Sequence, residues 1–235
     1  GAGLALGAAG ADGMLAEVVV LPEQGVVHIA KSLSYAEAAC LPCAGVTAWN
    51  ALFEGPRPVK PGERVLLLGT GGVSILALQL AKAAGCEVVI TSSSDVKLER
   101  ARSLGADHLV NYREVEEWGR HVSTTLGGVD KVVEVGGAGT LQQSFSALRY
   151  NGEVALIGVL NPVGGPNPSG LMFIGGMLRG IFVGSRGMAR RLAAAVDANG
   201  IKPVIGATYA FEEAKKAFDH GSSPDHFSKV VIQVR

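Results

Sequence analysis

From Arg64 onward, short runs that are apolar throughout alternate with amphipathic stretches. "RVLLL" (64–68) precedes a helical pattern over 73–84, and "EVVIT" (87–91) precedes one over 95–104. "HLVNY" (108–112) precedes one near 114–126, "DKVVEV" (130–135) precedes one over 139–148, and "EVALIG" (153–158) follows. Continuous apolar runs suit strands covered on both faces. Strict alternation with helices predicts an α/β fold with a doubly wound parallel sheet. After a Pro/Gly/Asn loop at 161–170, "RGIFVGSR" (179–186) predicts a sixth strand and 187–200 a helix. "KPVIGATYA" (202–210), "FEEAKKAFDHG" (211–221) and "KVVIQV" (229–234) predict strand, helix and closing strand.

The first sixty residues follow another pattern. "AEVVVLPE" (16–23) and "VVHIAK" (26–31) predict two short strands. The stretch 34–55 opens with Ser34 and carries Glu37 three residues on, a capping box, and Pro42 predicts a kink or two separate helices.

Gly69-Thr70-Gly71-Gly72-Val73-Ser74 sits between the first strand and its helix. The first glycine permits the tight turn, and the second lets a pyrophosphate approach the backbone. The third position must be small for close packing, and here it is Ser74. The free N–H groups and the dipole of the helix start favour an anion. Strand, turn and helix in this order give the motif its proper context, that of a Rossmann sheet binding a dinucleotide. The bland alternative is a turn that serves helix–strand packing alone.

The second strand ends without the acid that usually bonds a ribose 2′-hydroxyl. Ser92, Ser93 and Ser94 follow it, and Asp95 comes late. No carboxylate repels a 2′-phosphate there. Lys97 stands in the first helical turn, where a cation opposes the dipole and needs solvent or an anion. Ser92, Ser93 and Lys97 are therefore expected to grip the 2′-phosphate of NADPH, which favours NADP over NAD. The alternative for Lys97 is a solvated lysine on an exposed face.

Composition narrows the classes. Twenty-one basic residues balance twenty-one acidic ones, so charge gives no reason to expect nucleic acid or an anionic membrane as partner. Three cysteines form no disulfide framework, and no apolar run is long enough to span a bilayer. A cytoplasmic location is the expectation. Cys40-x-x-Cys43 lies in an apolar helical stretch around Pro42, which predicts two buried thiols. His108 and His226 could each act as a general acid; a turn or surface role is the simpler reading.

Seven stretches together resemble the medium-chain dehydrogenase/reductase superfamily, closest to its zinc-type alcohol dehydrogenase-like and quinone oxidoreductase branches. They are "AEVVVLPE", "LSYAEAACLPCAGVTAWNAL", "VKPGERVLLLGTGGVSILALQLAKAAG", "SSSDVKLERARSLGADHLVNY", "LRGIFVGSR", "FEEAKKAF" and "HFSKVVI". The resemblance implies that Gly69, Thr70, Gly71, Gly72 and Val73 hold the pyrophosphate. It implies an adenosine-phosphate pocket of Ser92, Ser93, Lys97 and Tyr112. Gly136 and Val159 would line the cleft, Thr47 would approach the nicotinamide, and Phe182, Val183 and Lys229 would close over it. Plain strand core is the alternative for Phe182 and Val183. A homodimer through the strand around Ile181–Gly184 is also implied.

The resemblance further implies three regions: a remnant of a GroES-like β domain at 1–38, the dinucleotide-binding domain at 39–200, and a C-terminal segment at 201–235 returning to the remnant. Cys43 matches a catalytic-zinc ligand position of metal-dependent relatives, but a catalytic zinc needs three protein ligands, so no metal site is expected. The implied activity is NADPH-dependent hydride transfer to a carbonyl or activated C=C of a small-molecule quinone, enone or aldehyde, independent of zinc, with no proton donor identified. The alternative is a non-catalytic NADPH-binding module or a fragment of a longer dehydrogenase.

Overall fold

The structure is a computed structural model and describes residues 6–7, 11–158 and 165–234. Its centre is a six-stranded sheet in the order β3-β2-β1-β4-β5-β6, parallel throughout. The strands are β1 (Arg64–Leu67), β2 (Glu87–Ser92), β3 (His108–Asn111), β4 (Val129–Glu134), β5 (Leu148–Leu156) and β6 (Met177–Gly180). Valine, leucine and isoleucine fill the central strands because both faces are covered. Leu67, Val88 and Ile90 face a core shared with α2 (Val46–Phe53), α3 (Gly72–Ala83), α4 (Asp95–Ser103) and α8 (Arg186–Asn199). Leu66, Val89 and Val132 face a second core with α5 (Trp118–Leu126) and α6 (Ala138–Ala147). Helices on opposite faces follow β1 and β4, so the strand order reverses between them. That is the switch point where open α/β sheets leave a crevice.

Ahead of the sheet, α1 (Tyr35–Ala38) starts on the expected capping box, with the Ser34 N–H donating to Glu37 Oε2 at 2.8 Å and the Glu37 N–H to Ser34 Oγ at 3.3 Å. Pro42 turns the following stretch into a π-helical turn, Leu41–Gly45, before α2 begins. α7 (Gly170–Ile174) stands between β5 and β6, and after α8 comes a separate parallel ribbon of β7 (Ile205–Ala210) and β8 (Lys229–Gln233), joined by α9 (Ala214–Ser222).

The apolar sheet contains a buried ionic cluster. Lys131 of β4 lies opposite Glu153 of β5, and both side chains are fully buried. Lys131 Nζ donates to Glu153 Oε1 at 3.1 Å and to the Ala51 carbonyl at 3.0 Å. Arg179 of β6 reaches the same Glu153 oxygen at 3.0 Å. Burial pushes the Lys131 pKa down, and Glu153 opposes that shift. The cluster ties three strands to the C-terminal end of α2.

Three sequence expectations need correction. Residues 16–23 and 26–31 form no strand; Glu23–Gly25 is a 3-10 turn, and Val18 and Val20 are exposed. A strand requires a neighbour for its N–H and C=O groups, and among the described residues none pairs there. The sixth strand is Met177–Gly180, so Ile181–Gly184, the stretch expected to carry a dimer interface, is a loop after it. Pairing stops because β5 ends at Leu156, opposite Gly180, and Val183 leaves the extended region with φ +46°. The fifth helix starts at Trp118 rather than near 114.

Lys131→Met leaves Glu153 with Arg179 as its sole cation. Breaking a buried pair costs about 3–5 kcal/mol, and urea unfolding is expected to show a loss of that size. A loss below about 1 kcal/mol, the range of exposed pairs, would contradict this role.

Candidate dinucleotide site

The glycine turn lies at the carboxyl end of β1, beside the switch point. Gly69 takes φ +70°, which favours glycine, and donates its N–H to Thr91 Oγ1 of β2 at 3.2 Å. Thr70 is buried. Gly71 is the N-cap of α3, and no side chain caps the helix start. Ser74, the departure from the usual small residue, is buried and donates its hydroxyl to the Leu68 carbonyl at 2.6 Å. It therefore locks strand to helix. The half-buried Val73 packs against the larger core. At Gly72 the space a Cβ would need is taken by the Lys229 side-chain methylenes, with Ala44 Cβ 3.5 Å away.

The C-terminal segment closes on this turn. Ser228 donates its N–H to the Thr70 carbonyl at 2.9 Å, and Ser228 and Gly71 form a parallel bridge. Ser228 adopts φ +55° and donates its hydroxyl to the Val204 carbonyl at 2.7 Å. Phe227 is buried beneath the Arg100 guanidinium, 3.9 Å from the ring centre, a cation–π contact. Lys97 Nζ donates to the His226 carbonyl at 2.8 Å and to the Pro224 carbonyl. Burial pushes the Lys97 pKa down while Asp225 opposes. A cavity of about 480 Å³ opens here, lined by Gly72, Ser222, His226, Ser228 and Lys229 among others.

Lys97 is thus held by the chain itself. Two backbone carbonyls 127 and 129 residues away satisfy it, and one of its three N–H donors stays free. Ser92 is buried, and its hydroxyl accepts from the Ser94 N–H at 3.3 Å. Ser93 is half-buried. The Tyr112 N–H donates to the Ser92 carbonyl at 3.1 Å, and its ring is exposed. Asp95 accepts from Asn111 Nδ2 at 2.8 Å.

The remaining residues lie on α2 and on the turns that follow β4 and β6. Thr47 is buried and gives its hydroxyl to the Cys43 carbonyl at 2.7 Å. Gly136 donates to the buried Glu134 carboxylate at 2.7 Å, which also takes Gly137, Thr140 and Ser144 and so fixes the turn after β4. Phe182 is 79% exposed, which rules out strand core for it. Val183 lies beside α2, with its carbonyl accepting from Asn50 Nδ2 at 2.9 Å. Val159 lies outside the described residues. Cys40 is buried and its thiol pKa is raised by burial, but Cys43 is exposed, so only one of the two expected buried thiols is buried. The π-helical turn at Pro42 carries Cys43 out of the apolar face. Among the described residues no group of three His, Cys, Asp or Glu could hold a metal ion.

Sequence reasoning missed Ser228, Arg100, Glu134 and Asn50. Only Glu134 had a local signal, an acid ending an apolar strand ahead of a Gly-Gly turn.

Comparison with known proteins agrees with this geometry. The family described as zinc-binding dehydrogenase matches residues 72–198. A zinc-type alcohol dehydrogenase-like protein of Schizosaccharomyces pombe is 44% identical over 232 residues, covering 95% of this chain and 67% of its own length. The structure of an NAD-dependent alcohol dehydrogenase superposes with a TM-score of 0.84 at 32% identity, over 96% of this chain and 66% of that one. A crotonyl-CoA carboxylase/reductase in complex with NADP gives a TM-score of 0.78 at 27% identity, over 87% of this chain and 58% of that one. The chain spans about two thirds of the length of the curated relatives it matches. This chain belongs to the zinc-binding dehydrogenase family, within the medium-chain dehydrogenase/reductase superfamily.

Lys97→Met removes both anchors of the Pro224–His226 stretch while leaving its own helix intact. Amide hydrogen exchange at Ser228 is expected to speed up by about tenfold, which corresponds to ~1.4 kcal/mol of lost local stability. An unchanged rate would show that Phe227 and Arg100 hold the segment without Lys97.

Proposed function

We propose that this chain holds the cofactor of an NADPH-dependent oxidoreductase that reduces a carbonyl or an activated C=C of a quinone, enone or aldehyde. The observation that carries the reading is the uncapped start of α3 at Gly71, set at the switch point of a parallel sheet. No side chain caps this helix start, which leaves it open toward a pyrophosphate, and an ideal Cβ on Gly71 would stand 3.7 Å from His226 Nε2. The residues fit the cofactor. Gly71, Gly72 and Val73 would take the pyrophosphate, and Ser92, Ser93 and the free donor of Lys97 the 2′-phosphate. Thr47, Phe182 and Val183 would border the nicotinamide. When bound, the cofactor supplies a hydride; the chain orients it and keeps water from it.

The preference for NADP rests on charge. Asp95, the first carboxylate after β2, is engaged by Asn111, and Lys97 is the cation nearest the serines in sequence. Among the described residues Cys43 belongs to no group of three His, Cys, Asp or Glu that could hold a metal ion, and the zinc-independent reading assigns these side chains to holding and orienting. A homodimer belongs to the same reading. β6 is the edge strand and would pair with its twin there, beside the exposed Leu178 and Phe182.

Fluorescence titration with NADPH and NADH tests this. NADPH is expected to bind at least about tenfold tighter, and Lys97→Ala is expected to erase the difference. Gly71→Ala is compatible with φ −77°, so it should melt close to wild type yet lose dinucleotide affinity by about tenfold or more. Equal or tighter NADH binding would overturn the NADP preference. No binding of either would overturn the cofactor reading.

A further inference from the structure

Asn50 stands on α2, half-buried, and its side chain bonds in two directions. Its Oδ1 accepts from Arg179 Nη1 at 3.1 Å, and its Nδ2 donates to the Val183 carbonyl at 2.9 Å. Only this orientation of the amide satisfies both neighbours, since a guanidinium cannot accept and a carbonyl cannot donate. Arg179 is fixed in turn. Its Nη2 donates to the Asn50 carbonyl at 2.9 Å and its Nε to the buried Glu153 at 3.0 Å. Asparagine is a weak helix former, so helix propensity does not account for it here.

Val183 needs such a partner. It has φ +46°, and among the described residues the other non-glycine positions with positive φ are Asn151 and Ser228. Asparagine enters that region readily, while a β-branched residue is an outlier there. Such strain persists where the surroundings over-determine it, and it collects at ligand clamps. The loop is held on both sides of the strained residue, by β5 before it and by α2 after it. Ile181 is buried and donates its N–H to the Leu156 carbonyl at 2.8 Å, and an ideal Cβ on Gly184 would stand 2.6 Å from Val46 Cγ1. Phe182 is left pointing outward, at the carboxyl end of β6, beside Thr47's helix. Ligands of open parallel sheets bind at that end.

We propose that Asn50, held by Arg179, is a positioning residue: it fixes the Val183 carbonyl and so sets the path of Phe182–Gly184 against the nicotinamide half of the cofactor. This rests on the cofactor reading above and deepens it. Asn50 itself touches no cofactor. Its loss acts on the loop and leaves the pyrophosphate turn, some twenty residues further along the chain, as it was.

The two halves of the cofactor can be separated by ligand. NADPH carries both, whereas 2′-phospho-ADP-ribose lacks the nicotinamide. Asn50→Asp keeps an oxygen for Arg179 but sets a carboxylate oxygen against the Val183 carbonyl. Calorimetric titration is expected to show NADPH binding weakened by about tenfold or more, with fragment affinity within about twofold of wild type. Arg179→Lys keeps a charge beside Glu153 but loses the planar fork that orients Asn50. It is expected to show the same split, and it serves if the first variant does not fold. Equal losses for both ligands in the folded variant would mean that Asn50 is merely structural, and unchanged NADPH affinity would mean that the loop does not depend on it; either overturns the proposal. Wild-type protein that binds neither ligand would instead overturn the cofactor reading and this inference with it, a result distinct from the other two.

Discussion

The Ser228 N–H meets the Thr70 carbonyl at 2.9 Å, and the surroundings of the glycine turn depend on that single crossing of distant backbone. To make it, the chain must return from β7 and α9 and pass Phe227 under Arg100. It must also place two carbonyls on Lys97 and lay the Lys229 methylenes over Gly72. A side chain at Gly72 would collide with that return. The glycine therefore answers a constraint set by the chain's own C-terminal segment as well as by any ligand. The turn, α4 and the β7–β8 ribbon are consequently one mechanical unit, with the Ser92–Lys97 stretch at its edge.

A second unit lies on the other side of the crevice and works with charge. Lys131, Glu153 and Arg179 are costly to bury, and Glu153 holds both cations through one oxygen, Oε1. Their geometry gives the cluster a use beyond the sheet. Arg179 emerges from the buried carboxylate to grip α2, and Asn50 passes the constraint to Val183. The two units meet where Ala44 approaches Gly72. The glycine turn is thus preorganised by backbone pairing, and the loop across from it by a buried ion cluster.

Much of this architecture is legible along the chain. β1, β2, β4 and the second half of β5 announce themselves as apolar runs, because burial on both faces leaves little polar alternation to confuse them, whereas the exposed stretch 149–151 near the start of β5 carries no such run. Gly69, Gly71 and Gly72 stand out because the turn needs them at fixed spacing. What stays hidden depends on contacts between distant residues. Lys97 reads as a cation seeking an anion because nothing near it in sequence reveals Pro224 or His226. Phe182 and Val183 look like strand because their residue types favour it; the strand ends earlier only because its partner does. Val18 and Val20 likewise read as strand, yet a ladder needs a neighbour that propensity cannot supply. Asn50 gives no local signal at all, being one polar residue on an apolar helix.

The central claim is that the uncapped start of α3 would receive the cofactor's pyrophosphate. The most direct measurement is a backbone-amide NMR titration with NADPH on the protein labelled with nitrogen-15. The account predicts the largest shifts at Gly71, Gly72, Val73 and Ser74, with Ser228 moving alongside them because it pairs with the same turn. Shifts confined to other parts of the chain, with those amides unmoved, would contradict it.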